Sequence, residues 1–174
     1  MKELPTLGFG EAIKLASSRL TVFSGRSRRS EFWWWMLIVM IVNQVASMFI
    51  TNLWVSTIVA TIIMFFGLAA TARRLQDSGK SAWWVYISYG LFFLLNCIVA
   101  GSETFNKLVD ELKSGSMNEN AIQKIVENGA VEMMAASGLS LLASIVGLVV
   151  IVMCLLDSTP GPNKYGDSPK YVEE

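Results

Sequence analysis

From Phe32 to Ala72 the chain runs for 41 residues without a charge, between Glu31 and Arg73. One membrane-crossing helix takes about 20 predominantly apolar residues, so this run predicts two helices joined by a turn with almost no loop. The turn is expected at Thr51-Asn52, flanked by Phe49 and Trp54 as interface aromatics, which gives spans of about 32–50 and 53–72. A third uncharged run, Ser81 to Ser102, predicts a span over about 82–102, and a fourth, Met133 to Leu156, one over about 136–156. In the fourth, Ser140, Ala143, Ser144 and Gly147 recur at spacings that make a small-residue face, along which a membrane helix approaches a neighbour closely.

The segments between these runs are patterned too. In residues 1–24, Phe9, Ile13, Ala16, Leu20 and Phe23 fall three and four apart, with Glu11, Lys14, Ser18 and Arg19 opposite, which predicts an amphipathic helix. It either packs under the bundle or lies in the headgroup plane. No short apolar stretch with a small-residue cleavage site precedes it, so no removable signal peptide is expected. Residues 73–80 form a polar connection ending at Trp83-Trp84. Residues 103–132 are acidic, with apolar stripes at Phe105, Leu108, Val109 and Leu112 and at Ile122, Ile125 and Val126. After a break at Ser114-Gly115, Ser116-Met117-Asn118-Glu119 reads as a capping box opening a second helix, so a helical hairpin is expected. From Asp157 a Pro/Gly-rich tail cannot continue the fourth helix. The domain plan is a basic segment 1–31, a four-helix domain 32–156 carrying the hairpin 103–132, and a tail 157–174.

Composition agrees: 53% of the 174 residues are hydrophobic and 16% charged, with a mean hydropathy of +0.47, too apolar for an ordinary soluble domain. The net charge of zero hides a segregation along the chain. Four spans place both termini on one side, where 11 of the 14 lysines and arginines fall, against three in the long loop. The positive-inside rule then puts the termini in the cytoplasm. The fold class is an all-α integral membrane protein with four transmembrane helices, a cytoplasmic amphipathic N-terminal helix and an extracytoplasmic hairpin between helices 3 and 4. There is no histidine, and Cys97 and Cys154 sit near opposite ends of different spans, too far apart to bridge across a core of about 30 Å. Metal clusters built on His and Cys, Cys/His pairs and a Ser/His/Asp triad are therefore excluded, and no cofactor or metal is expected.

The two halves echo each other. Arg29 to Trp34 resembles Lys80 to Trp84, and Leu75-Gln76-Asp77-Ser78 resembles Leu155-Leu156-Asp157-Ser158, the pattern of a parallel repeat. Three ordered segments also carry a family resemblance: Phe23 to Trp33, Ala72 to Trp84, and Asp157 to Gly166 with Pro169. Together they resemble the bacterial inner-membrane family catalogued as domain of unknown function 805. The resemblance covers most of the chain and implies a bacterial inner membrane; the family's function is unassigned, so it implies no activity. Two departures stand out. Gln76 replaces the histidine usual after Arg-Arg-Leu, removing a titrating group there, and the loop 103–132 is longer than the family's.

All three segments fall at one membrane face, which gathers Arg26, Arg28, Arg29, Arg73, Arg74 and Lys80 with Glu31, Asp77 and Asp157. Trp33, Trp34, Trp35, Trp83 and Trp84 are the expected interface anchors. One reading of the cluster is a structural staple in which Arg73 and Asp77, a helical turn apart, pair, and Asp157 takes an arginine from another segment. The other is a site for anionic lipid headgroups, each surface cation contributing about 1 kcal/mol. Mid-membrane polar residues are few: Asn43, Gln44, Thr57, Thr61, Ser88, Asn96, Ser140 and Ser144. No span holds an ionisable group or a proline, which argues against proton-coupled transport. Gly79-Lys80-Ser81 imitates the end of a phosphate loop, but Arg74 stands where its upstream glycine belongs.

The leading expectation is a non-catalytic scaffold or interaction protein whose basic cytoplasmic rim engages anionic lipid or a partner, with room for a homo-oligomer or a membrane-protein partner and no nucleic acid. The alternatives are a small channel or transporter for a neutral solute, with the Asn43/Gln44 level lining the path, and a lipid-headgroup enzyme using Asp77 or Asp157.

Overall fold

The structure, a computed structural model, describes residues 1–114 and 118–172. Its elements run β1 (Lys2–Glu3), α1 (Phe9–Ser17), α2 (Arg29–Phe49), α3 (Leu53–Asp77), α4 (Trp83–Gly101), α5 (Glu103–Lys113), α6 (Glu119–Asn128), α7 (Ala130–Leu155) and β2 (Tyr171–Val172). Four of them, α2, α3, α4 and α7, are long and apolar enough to cross a membrane. The turn in the 41-residue run lies where expected: α2 ends at Phe49 and the Asn52 side chain caps α3 by accepting from the Val55 N–H at 3.0 Å.

The second span differs from its expected end at Ala72. α3 continues through Asp77, so Arg73, Arg74 and Asp77 belong to its last turns and not to a connection. At 1.5 Å per residue its 25 residues reach about 37 Å, longer than a hydrocarbon core, so the charged end stands beyond the apolar slab. The helix stops in a Schellman motif: Lys80 N–H donates to Leu75 O at 2.8 Å and Gly79 N–H to Gln76 O at 3.0 Å, with Gly79 at φ +75°. That geometry, not a phosphate loop, is the reason for a glycine before Lys80.

α3 is the central helix, packed against α2, α4 and α7, and α4 and α7 pack along each other. The α4–α7 seam uses the expected small face in part. Ala136, Ala143 and Val150, seven residues apart, are buried, and a Cβ on Gly147 would stand 3.2 Å from the Phe92 ring, whereas Ser144 is exposed. The densest apolar packing, Phe32, Ala70, Leu75, Val85, Val150 and Cys154, lies at the end where Arg73 and Arg74 emerge.

α1 is shorter than the stripe in residues 1–24 predicts and is turned relative to it. Ala12 and Ala16 face inward while Phe9 stays 52% exposed, edge-on to Trp34 at 5.3 Å. α1 therefore packs under α2. α5 and α6 pack against each other beyond α4. Ser102 caps α5 and Asn118 caps α6, accepting from Asn120 N–H and Ala121 N–H; Ser116, the expected capping residue, lies outside the described residues. The chain ends meet in a two-stranded antiparallel ribbon pairing Lys2 with Val172 and Glu3 with Tyr171.

Candidate functional site: a buried arginine cluster at the end of α3

Adjacent residues on a helix point about 100° apart, and Arg73 and Arg74 use that angle to serve two separate nests. Arg73 Nη1 donates to the carbonyls of Arg19 at 2.7 Å and Val22 at 2.5 Å, and its Nη2 stands 3.6 Å from Glu31 Oε1. Arg19 Nη2 in turn donates to both Glu31 carboxylate oxygens, at 2.8 and 2.9 Å. This nest fastens the turn after α1 to α2 and α3.

Arg74 faces the other way. It donates to Asp77 Oδ2 at 2.5 Å, to the carbonyl of Cys154 at 3.0 Å and to that of Ser27 at 3.3 Å, and also to Leu156 O. Asp77 takes Arg26 Nε at 2.9 Å and the Ser158 hydroxyl, while Arg26 Nη1 and Nη2 hold the tail carbonyls of Gly161 at 2.8 Å and Thr159 at 2.5 Å. The second nest therefore joins the turn before α2, the end of α3, the end of α7 and the tail.

Carbonyl accounting explains why a membrane helix ends in arginines. The last carbonyls of a helix have no partner within it. In α7, Arg74 takes Cys154 O and Leu156 O, and Arg29 takes Leu155 O at 2.5 Å and Leu156 O at 3.3 Å. In α3, Asp77 O receives Thr159 N–H and its hydroxyl, both at 3.1 Å, and Gln76 O receives Asn163 Nδ2 at 3.0 Å. Cations at a helix C-terminus also meet its negative dipole end.

The expected site residues thus divide. Arg26, Arg73, Arg74, Glu31 and Asp77 are all buried, but Asp77 pairs with Arg74 and Arg26 in one nest and not with Arg73 as expected, whose carboxylate neighbour in the other nest is Glu31. Asp157 is not with them: its side chain is half-exposed, 3.0 Å from Lys170 Nζ and 3.9 Å from Arg29, and the neighbouring Ser158 reaches Asp77 instead. The two exits of the apparent repeat are therefore unlike. Hydrogen bonding from Lys170 holds the Asp157 carboxyl below the usual aspartate range, and contact with Tyr171 and Asp157 pushes the Lys170 ammonium up. Arg28 is 9% exposed and donates to Leu4 O at 3.2 Å; Arg29 is half-exposed; Lys80 is exposed with no ion pair among the described residues.

Gln76 is 7% exposed and donates to Phe23 O at 3.1 Å. Trp33, Trp34, Trp83 and Trp84 remain exposed, whereas Trp35 donates to Phe66 O at 2.9 Å and packs on the core. Sequence reasoning missed Arg19, Ser158, Thr159 and Asn163 as members of the cluster. Nothing distinguishes Arg19 from its neighbours on a polar helix face.

A profile described as protein of unknown function (DUF805) matches residues 20–167. The chain belongs to the DUF805 family. No curated protein and no solved structure matches it. The match in this DUF805 chain takes in the second nest from Arg26 to Gly161 and, of the first, all but Arg19.

Gln44 is exposed on the outside of α2, and Asn43, also exposed, borders a groove of about 260 Å³ that it shares with Asn96, Tyr89 and Met36.

Proposed function

We propose that this protein is a non-catalytic scaffold of the bacterial inner membrane, with both termini in the cytoplasm, that binds anionic lipid headgroups on a basic rim. The cation asymmetry along the sequence supports the orientation. The observation that carries the binding assignment is a cleft of about 190 Å³ at the start of α2, bordered by Leu4, Arg28, Arg29, Ser30, Asp157 and Lys170. Lys170 lies 3.0 Å from Asp157 and 3.2 Å from Glu3, so the two carboxylates there are engaged. Arg28 has no carboxylate partner among the described residues.

Exposed Trp33 and Trp34 follow at once on α2, and Trp83 and Trp84 follow Lys80 on α4, at the headgroup level suited to indole rings. Buried Asp77, held by Arg26, Arg74 and Ser158, is not free to act as a base. The nests fix the platform, and the outer cations meet phosphate at about 1 kcal/mol each.

The test is quantitative lipid analysis of the protein purified from membranes in mild detergent. Wild type is expected to retain anionic phospholipid above its share in the membrane, Arg29→Gln with Lys80→Gln to lose severalfold of it, and Lys80→Gln alone, which leaves the Arg29 cap on α7 in place, to lose part of it while melting unchanged. Absence of enrichment in wild type overturns the assignment.

A further inference from the structure

Beyond its first three turns, α2 borders α3 and α4 across a groove at Met40 and Asn43 and is otherwise open to its surroundings. Every residue from Met40 to Val45 is exposed, as are Ser47, Met48 and Phe49. Met40, Asn43, Gln44 and Ser47 fall at i, i+3, i+4 and i+7 and so share one face. Ser47 donates to its own helix, at Gln44 O, but the Asn43 and Gln44 amides have no hydrogen-bond partner among the described residues. Gln44 lies five residues before the end of α2 and nine after Trp35, about 8 Å and 14 Å along the axis. Both amides therefore sit within the hydrocarbon layer, where an unsatisfied polar group is costly. The exposed face of α3 at Ile58, Ile62, Phe65 and Phe66 contrasts with this, being apolar and suited to lipid alone.

We propose that this face of α2 is where two copies of the chain meet, α2 against α2 with Gln44 at the crossing. Helices in membranes associate through such amides. A carboxamide is both donor and acceptor, so a two-fold pair satisfies each copy with the group it presents. A second copy inserted in the same orientation also brings its amides to the same depth, which an unrelated helix does only if it carries a matching polar group there.

The test uses the full chain, dye-labelled, in liposomes, with energy transfer followed over a dilution series in lipid. Wild type is expected to dimerise, and Asn43→Leu with Gln44→Leu to raise the dissociation constant at least about tenfold. The double variant is expected to melt as wild type does, because neither side chain makes a hydrogen bond among the described residues. As a check independent of folding, Gln44→Cys is expected to cross-link in membranes under mild oxidation above the wild-type level, and Ile62→Cys on α3 not to. A monomeric wild type at every dilution, an unchanged constant in the double variant, or cross-linking at 62 instead of 44 overturns the proposal.

Discussion

Asp77 and Arg26, 51 residues apart in the chain, meet at 2.9 Å with side chains 0% and 2% exposed. The pair is one strand of a cluster in which Arg74 and Ser158 share the same carboxylate. A buried ion pair adds little net stability over an apolar replacement, but removing one partner strands the other charge.

Asp77→Asn is therefore expected to destabilise the protein by about 3–5 kcal/mol, read as a lowered melting midpoint in detergent. Asp157→Asn removes a half-exposed carboxylate and is expected to cost under about 1 kcal/mol. Equal effects of the two would contradict the placement of Asp77.

Arg74→Lys is expected to open the second nest, which acts as a latch between the ends of α3 and α7. One ammonium cannot reproduce the fork that serves Cys154 O, Leu156 O and Asp77 together. Amide exchange in the segment after Leu155 should accelerate, because the tail loses an anchor, while exchange in the α5–α6 hairpin stays as in wild type.

At Gly129 a Cβ would overlap the Thr104 side chain, so Gly129→Ala is expected to displace the junction of α6 and α7 and cost about 1–3 kcal/mol. Adding Thr104→Ala should recover part of the loss and not all of it, since the Thr104 Cβ itself would lie 2.8 Å away.

The ribbon joining the chain ends should respond to acid. Asp157 is lowered in the folded state, so its contribution is present above the ordinary aspartate value of about 3.9 and is lost as pH falls through the lower folded value. Lys170 is raised, so its share is full below the ordinary lysine value and is lost only in strong alkali, as pH rises through the folded value. Limited proteolysis near residues 157–172 is expected to speed up below about pH 4, and Lys170→Ala to give that faster cleavage at neutral pH.

The four spans were legible because lipid imposes a simple rule on sequence: long runs without charge, ended by aromatics and cations. The end of α3 was not, because Arg73 and Arg74 are met by the backbone carbonyls of Arg19, Val22, Cys154 and Leu156. A carbonyl leaves no mark on residue identity, so a charged pair that caps other segments looks like a loop. The same blindness exchanged the roles of Asp157 and Ser158, neighbours whose partners are fixed by how α7 ends. Family membership was readable from three short segments, and those segments supply Arg26, Arg74, Asp77, Ser158 and Thr159 to the second nest.

Arg26, Arg74, Asp77 and Ser158 form an internal latch, and a double-mutant cycle on Arg26→Met and Asp77→Leu, read as unfolding in detergent, measures it. Each single change is expected to be strongly destabilising, and the double to cost less than their sum by about 1–3 kcal/mol. Strict additivity would mean that the two residues do not act on each other, and would contradict the latch.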